Sequence, residues 1–302
     1  MDARMFAKRT DLALEARELW QESAEATAKL SGVKAGKARR EGYPVTWVEI
    51  LDAEGAKTLG KPVGTYLTLD LTSYWQRKED YFARAVRALG GQLRELLPGE
   101  GAALVIGLGN RAMTPDAVGP LTLESVLVTR HLLSGMPRQF GGMRPVSAFS
   151  VGVLGTTGVE SAEAVRGLVR ELKPDFVVAV DALASRRTGR VCATVQISDS
   201  GIVPGSGVGN HRAALDKRTL GVPVFAVGVP TVVDAATLAA DLLEESGAGS
   251  FDEKRLRSRR QPMTVTPRDI DAQVRELSRV LGYGLNWALQ ELEIEDMAAL
   301  LG

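Results

Sequence analysis

Two aspartates stand where buried strands would hand over to loops. Asp116 follows Leu104-Val-Ile-Gly-Leu-Gly-Asn-Arg-Ala-Met-Thr-Pro115, and Asp181 directly follows the apolar run Phe176-Val-Val-Ala-Val180. In open α/β sheets the loops beyond the carboxyl ends of strands are where ligands bind. If the two acids meet across one crevice, their repulsion raises one pKa and the pair holds a single proton. One member can then take a proton from water while the other gives one to a carbonyl or a leaving amine, which is acid protease chemistry. Asp116 also has a purely structural explanation. Behind Thr114 and Pro115, an aspartate in a first helical turn favours the helix dipole by ~0.3–1 kcal/mol. Asp181 is harder to explain that way, because a carboxylate at the edge of an apolar strand bears a desolvation cost.

A second dense segment runs Ile197-Ser-Asp-Ser-Gly-Ile-Val-Pro-Gly-Ser-Gly-Val-Gly-Asn210. Its glycines Gly201, Gly205, Gly207 and Gly209, beside Asp199 and Ser200, permit positive φ and a close backbone approach. The segment could be an oxyanion donor set, an anion nest, a groove for an extended peptide, or a surface loop whose glycines only serve turns. Gly107-Leu-Gly-Asn-Arg-Ala112 fits the alanine form of the dinucleotide fingerprint, but Pro115 moves the helix start beyond the motif. The next β run, Val146 to Val153, lacks the terminal acid that would hold a ribose. Asp199 and Asp234 are further acids that could support the pair or cap turns. His131 reads as a cation late in a helix, and His211 as solvated.

The elements that must position these residues alternate. Residues 1 to 11 read as a flexible arm, Leu12 to Lys29 as a helix, and Gly32 to Gly42 as a solvated basic loop. Tyr43 to Leu51 and Gly64 to Leu71 show the alternation of partly exposed strands, and Gln76 to Leu97 is amphipathic with helical spacing. Then come a helix (Pro115 to Leu133), a strand (Val146 to Val153), a helix (Ser161 to Leu172), the strand ending at Asp181, β runs at Val191 to Ile197 and Val222 to Val229, and a helix from Ala235 to Glu245. Thr266 as N-cap with Pro267 in the first turn opens a last helix through Asn286. The pattern predicts one α/β domain with a mainly parallel central sheet flanked by helices and some antiparallel strands near the N-terminal part.

Composition narrows the function classes. In 302 residues, 37 basic side chains balance 37 acidic ones, so nothing global draws the chain to nucleic acid or membrane. The start has no apolar core of signal-peptide length and no run reaches the ~18 apolar residues of a membrane span, which places the chain in a cytoplasm. The single cysteine, Cys192, excludes an internal disulfide and reads as a small buried hydrophobe within a strand. Two histidines are too few for a histidine-rich metal site.

Taken together, Val105-Ile-Gly-Leu-Gly-Asn110, Thr114-Pro-Asp-Ala-Val-Gly-Pro120, Gly155-Thr-Thr-Gly-Val-Glu160, Asp181-Ala-Leu-Ala184, Pro204-Gly-Ser-Gly-Val-Gly-Asn210 and Gly228-Val-Pro-Thr-Val-Val-Asp-Ala235 closely resemble the germination protease family of spore-forming Firmicutes. The resemblance runs from Arg9 to about Asn286. It implies an endopeptidase of the forespore or spore core that degrades small acid-soluble spore proteins, made as an autoprocessed zymogen and assembled as a homotetramer. It requires no cofactor and no metal, and places the catalytic aspartates on Asp116 and Asp181. It also implies a propeptide of residues 1–11, cut between Asp11 and Leu12, ahead of a protease domain of residues 12–302. The short polar link between Glu245 and Met263 departs from better-known members, which carry a longer insertion there. The family's fold is similar to that of hydrogenase maturation proteases. Nickel-dependent processing is therefore the alternative enzyme, although no matching histidine follows either aspartate, and an anion- or dinucleotide-binding protein is the non-catalytic one.

Overall fold

The computed structural model describes residues 8–23, 30–206, 212–247 and 263–301. Gly207, Gly209, His211, the end of the expected first helix and most of the 245–263 link lie outside the described residues. Nine strands form one mixed sheet: β1 (Val33–Arg40), β2 (Tyr43–Ile50), β3 (Gly64–Asp70), β4 (Ala103–Leu108), β5 (Val146–Gly152), β6 (Phe176–Ser185), β7 (Thr194–Ser198), β8 (Val224–Asp234) and β9 (Thr264–Val265). Their order is β1-β2-β3-β7-β8-β6-β4-β5, with β9 added to the end of β8. The strands β5, β4, β6 and β8 pair in parallel. From β8 through β7, β3 and β2 to β1 every pairing is antiparallel, as is β8 with β9.

Both faces of the parallel half are covered, which explains its unbroken apolar runs. On one face Val105, Val178, Val180 and Val227 pack with Leu89 and Leu93 of the helix Tyr81–Leu96 and with Val274, Leu277 and Leu281 of the helix Ile270–Gln290. On the other, Leu104, Ile106, Val177 and Ala179 meet Val165 and Val169 of the helix Ser161–Leu172. A smaller cluster joins Ala13, Ala16 and Trp20 of the helix Ala13–Glu22 to Val48, Ile50 and Tyr66.

Several expectations need correction. The basic stretch read as a loop is strand β1, joined to β2 by the two-residue turn Glu41–Gly42 with both residues at positive φ (48° and 81°). Such a turn matches the twist of a hairpin, and lysines and arginines are what an exposed edge strand carries. The helix expected over 115–133 is broken into Thr114–Asp116, Val118–Leu123 and Arg130–Gly135, because Thr129 instead exchanges hydrogen bonds with the start of β5, its hydroxyl accepting from Val146 N. His131 accordingly sits at the start of a helical turn, not late in one. Thr266 does not cap the last helix, which starts at Ile270; its hydroxyl donates to the Thr231 carbonyl. Cys192 is fully buried as expected, but in the turn before β7 rather than in the strand, and burial pushes its thiol up to about 12.

Candidate functional site

Asp116 is built into a turn held from three sides. Gly109, at φ 104°, brings the chain so close that a Cβ there would collide with the Asp116 carbonyl. The Asn110 N–H donates to the Asp116 carboxylate at 2.9 Å. The Thr231 hydroxyl of β8 donates to the Pro115 carbonyl at 2.6 Å, and Thr114 donates to Asp271 of the long C-terminal helix at 2.6 Å. Gly119, just beyond, lies so tightly against Leu108 and the Val180 carbonyl that no side chain fits.

Asp181 does not end its strand. β6 continues to Ser185 beside β8, while its neighbour on the other side, β4, stops at Leu108. The carboxylate therefore sits inside the ladder at the point where one side of β6 becomes open, and it is only 4% exposed. Among the described residues, the hydrogen bond to this carboxylate comes from the Ala182 N–H at 2.9 Å.

The two aspartates line one cavity of about 600 Å³, together with Gly109, Leu183, Gly205, Arg212 and Thr231. Burial raises Asp181 well above the ordinary carboxylate range, and the charge of Asp116 raises it further. Burial also raises Asp116, but the Asn110 N–H and Arg212 pull it back. The environments thus push the two groups apart, acting more strongly on Asp181 than on Asp116.

A third acid reaches the same cavity. Asp11 lies against the open side of β6, its N–H donating to the Ala184 carbonyl at 2.9 Å and its carboxylate accepting from the Ala184 N–H at 2.8 Å and the Ser206 hydroxyl at 2.6 Å. Its charge adds to the rise at Asp181. The neighbouring backbone is held as well. Lys61 donates to the Thr10 carbonyl at 2.9 Å, and Gln196 Nε2 to the Asp11 carbonyl at 3.1 Å, while Gln196 Oε1 accepts from the Ala13 N–H at 2.8 Å. Lys8 pairs with Asp241 and Glu244 at 2.7 and 2.6 Å. Leu12 is fully buried.

The other residues singled out from the sequence divide. Gly205 lines the cavity of the aspartates. Asp199, Ser200 and Gly201 line a neighbouring cavity of about 720 Å³ that shares Asp11 and Leu183 with it. There Asp199 accepts from the Thr65 N–H, fixing the start of β3, and Ser200 donates to the Tyr66 hydroxyl. Asp234 lines the cavity of the aspartates, and its carboxylate caps the helix Ala235–Glu245 by accepting from the Thr237 N–H and hydroxyl. Sequence reasoning missed Gln196, Lys61 and Arg212, for which no local spacing gives a signal. Among the described residues, no group of three or more His, Cys, Asp or Glu is arranged to hold a metal ion, and no helix is long and apolar enough to cross a membrane.

Comparison with known proteins adds an independent line. Residues 13–246 match the family model described as germination protease. A germination protease of Caldanaerobacter subterraneus subsp. tengcongensis is 43% identical over 93% of this chain and 94% of its own length. One from Clostridium perfringens is 40% identical over 98% of this chain and all of its own. One from a Geobacillus strain is 45% identical over 81% of this chain and 68% of its own.

Proposed function

From the premise that the chain belongs to the germination protease family, and so has a protease role in spore germination, we propose that it is an endopeptidase of small acid-soluble spore proteins in which Asp116 and Asp181 activate water. The observation that carries this reading is the cavity lined together by Asp11, Asp116 and Asp181, in which burial and the Asp116 charge raise Asp181 further than Asp116. Asp116 takes a proton from a water molecule, whose oxygen attacks the carbonyl carbon. Asp181 gives its proton to the departing nitrogen as the C–N bond breaks. Afterwards the pair still holds one proton, now on Asp116, and its shift back to Asp181 resets the site.

Residues 1–11 act as a propeptide removed by the same site, and the bond between Asp11 and Leu12 is the one cut. Asp11 meets the open edge of β6 through one main-chain bond, its N–H to the Ala184 carbonyl, and through its carboxylate, which accepts from the Ala184 N–H; extended peptides commonly bind at open sheet edges. The assembly is a homotetramer acting in the forespore or spore core. The test is cleavage of a purified small acid-soluble spore protein by the chain beginning at Leu12, beside Asp116→Asn and Asp181→Asn, with and without a chelator. Chelator-resistant cleavage lost in both variants supports the aspartate pair. Cleavage that survives both replacements sinks it.

A further inference from the structure

Peptide hydrolysis by this pair leaves one requirement unmet: the carbonyl oxygen becomes an oxyanion while the Asp181 proton goes to nitrogen, so another donor must meet that oxygen. We propose that Gln196 is that donor and hence a further catalytic residue; this rests on the reading that the Asp11–Leu12 bond is the one cut. Three observations on the molecule support it.

The first is position. Gln196 on β7 and Asp181 on β6 both pair with Gly228 of β8, one from each side. Residues directly across from one another project to the same face of a sheet. The two side chains therefore stand in one row about 10 Å apart, two interstrand spacings, with a residue lacking a side chain between them. Leu183, two positions beyond Asp181, fills that gap: a Cβ on Gly228 would come within 2.5 Å of it. The floor between acid and amide is apolar, which strengthens electrostatic contacts above it.

The second is contact. Gln196 Nε2 donates to the carbonyl of Asp11, the carbonyl of the bond proposed to be cut, at 3.1 Å. The third is orientation. The partners fix which end of the carboxamide is which, because Oε1 accepts from the Ala13 N–H and a reversed amide would set oxygen against the Asp11 carbonyl and N–H against N–H. Gln196 is buried in the sheet at 8% exposure, so its aim is set before the substrate arrives. Ala13 stays with the chain once residues 1–11 leave. Its N–H keeps Oε1 occupied, and Nε2 is left facing the vacated position for the carbonyl of the next substrate.

In the reaction, the water oxygen bonds to the carbonyl carbon and the carbonyl electron pair moves onto oxygen, where Nε2–H meets it. Collapse re-forms the C=O bond, breaks C–N, and the amine leaves with the proton from Asp181. No oxidant or further reactant is needed.

The test uses Gln196→Met, which keeps the volume without a donor, and Gln196→Ala. Full-length chains are first allowed to self-process and their new N-termini are sequenced. Chains made to begin at Leu12 are then assayed on a purified small acid-soluble spore protein for kcat and KM separately, with thermal melting alongside. The expected result is a parent N-terminus at Leu12 and a kcat lower by about 10²–10³-fold in both variants, with KM within a few-fold and pH limbs unmoved, since glutamine does not titrate. A role confined to anchoring residues 1–11 would slow self-processing and leave kcat on the added substrate intact. Should Gln196→Ala fail to fold, Gln196→Met alone decides. A kcat within threefold of the parent in Gln196→Met, or a loss confined to KM, overturns the assignment while leaving the Asp11–Leu12 reading standing. A parent N-terminus other than Leu12 removes that reading and this proposal with it.

Discussion

Replacing Asp181 by asparagine should inactivate the protein and make it more stable. Asp181 is 4% exposed, its carboxyl accepts a hydrogen bond from the Ala182 N–H, and among the described residues it meets the charges of Asp116 and Asp11 with Arg212 opposing them. Its folded-state pKa is therefore raised above the unfolded value. For such an acid the folded state binds the proton more tightly, so stability is lost as pH rises from the ordinary carboxylate range towards the raised pKa. Each unit of elevation costs about 1.4 kcal/mol once both values are passed. Asparagine keeps the shape, can still accept from Ala182, and carries no charge to desolvate. Asp181→Asn should therefore melt higher than the parent near neutral pH, by about 2 °C for every unit by which the fold raises the carboxyl. The gain should shrink as pH falls and be small at about 4, where the folded carboxyl is protonated and the unfolded one about half so. The assay is thermal melting of full-length parent and variant from pH 4 to 8, with intact mass checked before and after each scan. A variant less stable than the parent by the same amount at every pH would mean that Asp181 is an ionised, well-compensated group, and the assignment of the proton to it would fall.

Other outcomes follow from the same contacts. Because the Asp11 charge adds to the rise at Asp181, the high-pH limb for self-processing should lie above that for the chain beginning at Leu12, a comparison that pH–rate profiles of the two reactions make directly. Glu15→Ala should cost about 3–5 kcal/mol by denaturant titration, because this fully buried carboxylate accepts from the Arg186 and Arg187 N–H groups at 2.6 and 3.0 Å and from Arg190 at 2.9 Å. Gly119→Ala should cost about 1–3 kcal/mol and lower kcat, since its Cβ would push the Asp116 turn away from β4 and β6; unchanged kcat would show that the turn tolerates displacement.

Asp116 and Asp181 were legible because apolar runs and glycine turns are local signals, and both residues do line one cavity. What misled was the end of the second run. β6 passes through Asp181 to Ser185 because β8 continues beside it for the same length, a tertiary fact that no local pattern records. The basic β1 looked like a loop because an edge strand with one partner is under no pressure to be apolar, and its alternation is hidden by lysine and arginine. Gln196 and Lys61 carry no sequence signal because their partners, Asp11 and Thr10, are distant in the chain and the bonds go to backbone atoms. The α/β class was readable from the alternation of runs, whereas the reach of antiparallel pairing from β1 to β7 and β9 was not, since it depends on which strand edges meet.

The contacts around Asp11 have a consequence for reversibility. Before the chain is cut, the Lys8 ion pairs, the Asp11 pairing with Ala184 and the Lys61 bond to Thr10 form within one molecule, where tethering supplies an effective concentration of about millimolar or more. If the bond between Asp11 and Leu12 is the one cut, hydrolysis adds a carboxylate to Asp11 and an amine to Leu12, and turns each of those contacts into an encounter between separate molecules. The released segment is then diluted to its bulk concentration, and a handful of polar bonds must recover that loss alone. Docking that is firm in the intact chain becomes negligible after a single hydrolysis, so activation would behave as a one-way ratchet driven by dilution, with no separate factor needed to carry the segment away.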